Sequence, residues 1–171
     1  VERDGAECAT GRATMTTAAA TGLKADAYAT RKPPATRPAA DEASLAVGNI
    51  LSTTPEVLSK ERLAGYLKDV RETDPLFASE GIAHPGILLR LCNSALRENV
   101  MLAPWIHVGS TMRHLSTAHV GEALEARSRV VANYDRKGHR LVDLDCLLLA
   151  DGRPVAHVLH TAIYKLRHLA A

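Results

Sequence analysis

The stretch His84-Pro85-Gly86-Ile87-Leu88-Leu89-Arg90-Leu91-Cys92-Asn93-Ser94-Ala95-Leu96-Arg97-Glu98-Asn99 decides the fold. Ile87, Leu88, Leu91, Ala95 and Leu96 recur at helical spacing, and Leu89 and Cys92 widen the apolar face until little polar surface is left. A helix apolar over most of its circumference must be buried on several sides. Pro85 stands where a first turn can spare an N–H, Asn99 is suited to close the C-terminal end, and Pro104 lies beyond it.

Upstream, Ser59 is a good N-cap for a helix over Lys60–Val70, with Leu63, Leu67 and Val70 on one side. Asp74-Pro75 stops it, because the residue before proline disfavours helical geometry. Leu45–Thr53 reads as an opening strand. Downstream every segment is strand-like: Trp105–Leu115, Leu124–Tyr134, His139–Leu149 and Pro154–Lys165. Asp135–Gly138 and Asp151-Gly152 are hairpin turns between them. Asp143 and Asp145 share one strand face and suit pairing with Arg127 or Arg129 on a neighbouring strand. One buried helix followed by an antiparallel meander predicts an α+β domain in which the sheet wraps a long central helix.

That domain runs from Ser44 to Arg167; residues 1–43 differ. Thr30–Pro38 packs three prolines and three basic residues into nine positions, the composition of an extended arm or linker. Asp4, Gly5, Ala9 and Thr14 repeat the spacing of Asp151, Gly152, Ala156 and Thr161. Residues 1–43 are therefore expected to be either an Ala/Thr/Pro-rich arm or, if the echo is meaningful over residues 4–17, the remnant last strand of a preceding repeat of the same domain followed by a linker. The chain opens on Val with no basic-then-apolar leader, so a processed or partial chain is expected.

A formal charge of +2 gives no electrostatic footprint for nucleic acid or an anionic membrane. No apolar run reaches the roughly 18 residues of a spanning helix. Cys8, Cys92 and Cys146 lack paired spacing, as expected of reduced thiols in a cytoplasmic protein. His107, His114 and His119 are spaced so that one strand face cannot hold all three, and no metal site is expected.

The order of elements and the wording of two motifs resemble the hotdog superfamily, and within it the MaoC-like dehydratases and (R)-specific enoyl-CoA hydratases. The family's hydratase motif runs from an aromatic residue to Gly-Asp-x-Asn-Pro-(Leu/Ile)-His. Tyr66-Leu67-Lys68-Asp69-Val70-Arg71-Glu72-Thr73-Asp74-Pro75-Leu76-Phe77 lies on it without a gap. Tyr66, Pro75 and Leu76 match it, and Asp74 replaces the Asn. Glu72 stands for the family's catalytic Asp, and Phe77 for its catalytic His. Ile82-Ala83-His84-Pro85-Gly86 echoes the Ile-Ala-His-Gly that opens the family's central helix.

The resemblance implies a hotdog fold, a substrate that is an acyl-CoA or acyl carrier thioester, and hydration or dehydration of enoyl/3-hydroxyacyl thioesters. It implies no cofactor beyond coenzyme A within the substrate, and a homodimer or higher even assembly. Glu72 is then the base, with Asp74 or His84 as helper; Glu can act as a general base, whereas Phe77 transfers no proton. Gly86, at a helix start with unpaired N–H groups, is the candidate amide for the thioester carbonyl. Arg136 and Lys137, in a basic turn, are candidates for the phosphates of coenzyme A. A thioesterase would use the same carbonyl site, and a non-catalytic acyl-thioester binder or partner subunit would explain Phe77 most simply.

Overall fold

A computed structural model of the chain describes residues 2–3, 6–7 and 22–167. The elements in order are β1 (Glu2–Arg3), β2 (Ala6–Glu7), β3 (Ile50–Ser52), β4 (Glu56–Val57), α1 (Lys60–Val70), α2 (Leu76–Glu80), α3 (Pro85–Asn99), β5 (Ile106–His114), β6 (Ala123–Arg136), β7 (His139–Ala150) and β8 (Arg153–Lys165). Antiparallel pairing gives a sheet in the order β3-β6-β7-β8-β5, with β4 continuing β3 along β6. The helix in its sheet is the arrangement the sequence leads one to expect. The opening strand is shorter than Leu45–Thr53, because the chain turns before Ile50; β4 and α2 went unread. The echoing residues Asp4, Gly5, Ala9 and Thr14 lie outside the described residues; Glu2–Arg3 pairs antiparallel with Ala6–Glu7.

Helix α3 buries Ile87, Leu88, Leu91, Cys92, Ala95 and Leu96 in the concave face of the sheet. Val142, Leu144, Cys146, Leu148 and Ala150 meet it from β7, and Ala156, Val158, Ala162 and Tyr164 from β8. Asn99 does not form a left-handed cap. It is buried at the last helical position, where its Nδ2 donates to Ala95 O and to Ser52 O, both at 2.8 Å, stitching the helix to β3. Ser59 caps α1 by accepting Arg62 N–H at 3.1 Å, and Arg71 at φ 55° ends it. Both long hairpins close through two residues of positive φ, Lys137-Gly138 and Asp151-Gly152, the turn geometry that matches strand twist.

The outer face of the sheet carries a polar knot. Asp145, 7% exposed, accepts from Tyr28 Oη at 2.9 Å, and Arg129 Nε and Nη2 donate to it at 3.1 and 2.9 Å. His157 Nε2 is 2.7 Å from the same carboxylate. Burial alone would raise the Asp145 pKa; hydrogen bonds from His157, Tyr28 and Arg129 outweigh it and hold the carboxyl below its ordinary value. Arg129 is thus the partner of Asp145, whereas Arg127 turns to Glu125 and Asp143 accepts from Thr161 Oγ1 at 2.7 Å. Tyr28 belongs to the stretch before Ser44, which is tied to the sheet and helix at several points between Ala25 and Pro38. Arg127 Nη1 donates to Ala25 O at 3.0 Å, Arg31 N to Ser52 Oγ at 3.1 Å, and Met101 N to Pro38 O at 2.7 Å. No helix among the described residues is long and apolar enough to cross a membrane.

One core group is out of place chemically. His160 is fully buried on β8, stacked on His107 at 4.5 Å, with Nδ1 2.9 Å from Ser110 Oγ and no partner for Nε2 among the described residues. Burial first, and the charge of His107 second, push its pKa down to about 4. In the unfolded chain it titrates near 6.5, so the unfolded state takes up its proton first. Stability is therefore expected to fall as pH drops from about 6.5 towards 4, by at most ~3 kcal/mol from this residue. Urea melts at pH 7 and pH 4.5 check it: His160→Leu should flatten the difference, and an equal drop in both proteins would refute the assignment.

Candidate functional site

The approach to α3 is pinned before the helix begins. Ala83 N donates to Ala118 O and Val120 N to Gly81 O, both at 2.8 Å, and Ile82 bridges to His119. His84 is left as the N-cap, with extended backbone (φ −60°, ψ 139°). Its ring turns back so that Nδ1 accepts the Gly86 N–H at 3.0 Å. An accepting Nδ1 carries no proton, so in the neutral ring the proton sits on Nε2. Nε2 lies 3.2 Å from Glu72 Oε2 and donates to it.

Glu72 arrives from the turn after α1, where its own N–H donates to Leu67 O at 2.9 Å. Its Oε1 accepts the N–H groups of Thr73 and Asp74, each at 2.8 Å. The Asp74 N–H is the largest cause of a lowered Glu72 pKa; partial burial opposes it, and the Thr73 N–H and His84 add to it. The result is a carboxylate–imidazole pair, each side chain about a fifth to a quarter exposed (20% for His84, 24% for Glu72). Three of the four lone-pair positions of Glu72 are filled, which leaves one on Oε2 for a further donor.

Two aromatic rings hold the imidazole. Tyr66 of α1 and Phe77 of α2 have their centroids 5.3 and 4.7 Å from that of His84. Phe77 sits where the resembled motif has its catalytic His, and its ring packs on an imidazole supplied by the helix cap instead. The Tyr66 hydroxyl presses on Gly86: a Cβ there would overlap Oη and lie 2.9 Å from Cζ. Gly86 is thus required by packing. The Arg90 guanidinium carbon stands over the Tyr66 ring, 4.9 Å from its centroid.

The candidates from sequence are divided by the structure. Glu72, His84 and Gly86 come together. Gly86 N–H is not an open amide, however, because His84 Nδ1 already takes it. Asp74 does not face the pair: it is exposed, and its Oδ1 accepts the N–H of Leu76 at 2.9 Å, fastening the turn into α2. Arg136 and Lys137 sit at the tip of the β6–β7 hairpin, the other end of a 14-residue strand from α3's start, about 40 Å along β6. Within one chain they cannot share a site with His84. Tyr66 and Arg90 were missed as site residues; the aromatic position of the motif pointed to the first, and nothing in the spacing pointed to the second.

No protein-family profile and no curated protein sequence matches the chain. Solved structures do match. The (R)-hydratase from A. caviae involved in PHA biosynthesis aligns at TM-score 0.58 and 16% identity, over 68% of this chain and 95% of its own. The MaoC-like dehydratase from Rhodospirillum rubrum aligns at TM-score 0.56 and 15% identity, over 72% of this chain and 96% of its own. A chain of the 3R-hydroxyacyl-ACP dehydratase complex from Mycobacterium tuberculosis aligns at TM-score 0.58 and 18% identity, over 68% and 96% respectively. At such identities the likeness is one of fold: this is a hotdog domain of the kind found in MaoC-like dehydratases and (R)-hydratases.

Gly86→Ala tests the packing at the helix start. The Cβ meets Tyr66 in van der Waals overlap, so the variant should lose about 1–3 kcal/mol, seen as a fall of several degrees in Tm. Adding Tyr66→Leu should return part of the loss; an unchanged Tm for Gly86→Ala would contradict the contact.

Proposed function

We propose that the chain is a hydro-lyase for acyl thioesters, adding water to an enoyl thioester and, in reverse, removing it from a 3-hydroxyacyl thioester. The observation that carries this reading is the Glu72–His84 pair at the start of the central helix of a hotdog domain. The proteins it resembles in fold include an (R)-hydratase and a hydroxyacyl-ACP dehydratase.

Glu72 Oε2 has the open lone pair, so it takes the proton of an attacking water while His84 Nε2–H holds the carboxylate in place. The water oxygen bonds to C3 of the enoyl group, the π electrons move through C2 onto the thioester oxygen, and C2 then takes up the proton. The oxygen needs donors while it is charged, and the Gly86 N–H at the helix start is suited to that role once His84 Nδ1 releases it.

The carrier is coenzyme A or an acyl carrier protein. β5 is an edge strand of nine residues with one side unpaired among the described residues, and Ile106 and Val108 are about half exposed on it, which supports an even assembly formed along that edge. One observation favours a second reading, a non-catalytic acyl-thioester binder or partner subunit. The N–H groups that hold the Glu72 pKa down also weaken it as a base.

Crotonyl-coenzyme A separates the readings. Loss of enoyl absorbance marks a hydratase, release of free thiol a thioesterase, and saturable binding without either a binder. For a hydratase, Glu72→Gln and His84→Asn should each lower kcat by about 10²–10⁴ with the fold intact by circular dichroism. Because the Glu72 pKa is lowered, the acid limb of kcat/KM should lie below the ordinary carboxylate range. Wild-type turnover in Glu72→Gln would end its assignment as the base.

A further inference from the structure

The reaction above puts negative charge on the thioester oxygen, and the first turn of α3 has no open amide to meet it. Pro85 carries no N–H. The N–H groups of Ile87 and Leu88 both donate to His84 O, at 2.8 and 3.4 Å. The Gly86 N–H can serve only once His84 Nδ1, 3.0 Å away, lets it go. A helix start usually offers an anion several free donors; here they are already engaged.

Tyr66 of α1 brings a donor that needs no release. Its side chain is partly exposed, and its hydroxyl has no hydrogen-bond partner among the described residues. A Cβ at Gly86 would overlap this hydroxyl and come within 3.3 Å of His84 Nδ1, so the hydroxyl and the imidazole border the same point over Gly86. Glu72 Oε2 stands 3.2 Å from the other nitrogen of that ring. The base and the hydroxyl are therefore separated by one imidazole. In an enoyl thioester the carbonyl oxygen and C3, which takes the water, are three bonds apart; a hydrogen bond at one end and a water at the other extend that span. The Arg90 guanidinium over the Tyr66 ring adds positive charge on the side of the site where negative charge develops.

We propose that the Tyr66 hydroxyl donates the hydrogen bond that stabilises the thioester oxygen, an assignment that rests on the hydro-lyase reading and adds a catalytic residue to it. Tyr66 keeps its proton throughout. As the water oxygen bonds to C3 and its proton passes to Glu72, the π electrons move onto the thioester oxygen and the O–H···O bond strengthens with the charge. When C2 takes the proton from Glu72, those electrons return to form the C2–H bond.

Tyr66→Phe keeps the ring against His84 and removes only the oxygen. With crotonyl-coenzyme A it should lower kcat about 10²–10³-fold, with KM little changed and Tm not lowered. Acetoacetyl-coenzyme A gives a readout that needs no hydration, because its enolate carries part of its charge on the thioester oxygen. Bound to the unaltered chain it should show the enolate absorbance, and Tyr66→Phe at saturating ligand should weaken it. Full kcat in Tyr66→Phe beside an active unaltered chain overturns the assignment and leaves the hydro-lyase reading standing. An enolate band equal in the two proteins, or absent from both, overturns the assignment whatever the kinetics. No turnover by the unaltered chain overturns the hydro-lyase reading; a band lost with the hydroxyl then keeps Tyr66 as the donor of a site that binds thioesters without hydrating them.

Discussion

The structure depends on one burial problem: α3 has too much apolar surface for any single flat partner. A sheet that curls round it solves the problem, because β6, β7 and β8 each present alternate side chains to the helix along their length. The β7 run Val142, Leu144, Cys146 and Leu148 lies against Leu91, Cys92 and Ala95 in one continuous core. At its far end β7 is buried on the outer face as well, since Leu147 and Leu149 have no exposed surface. This is why the strand reads as an unbroken apolar run there and not as an alternation.

Burying the apolar side of the helix makes its first turn the place where polar groups must be settled. The N–H groups of a first turn have no partners within the helix, and His84 answers by accepting one of them. Doing so fixes its tautomer and leaves Nε2–H pointed at Glu72. The candidate pair is thus a consequence of how the helix is capped. Tyr66 and Phe77 then close on the imidazole, and Tyr66 leaves room at position 86 for nothing larger than hydrogen.

Polar groups elsewhere in the interior follow the same accounting. Asp145 is tolerated on the outer face because Arg129, His157 and Tyr28 share its charge, and Tyr28 ties the preceding stretch to the sheet in doing so. His160 is one exception: one nitrogen is bound to Ser110, the other has no partner among the described residues, and its suppressed basicity follows from its burial.

Helix α1, the central helix, the four long strands and the two turns at Lys137-Gly138 and Asp151-Gly152 were legible in the sequence. Each follows from local periodicity or from residues that accept positive φ. Glu72, His84 and Gly86 were legible as candidates, through a motif that also made Asp74 look equal to them. What the sequence alone determined was that a buried helix begins at His84-Pro85-Gly86 and that an antiparallel sheet surrounds it. Only the tertiary structure decided that Glu72 and His84 touch, that the Gly86 amide is engaged, that Asp74 serves its own turn, and that Arg136 and Lys137 stand at the far end of the sheet. The reason is physical. Period and turn chemistry act over a few residues, whereas side chains 12 apart, on a turn and on a helix cap, meet only where the packing of α1 against α3 brings them together.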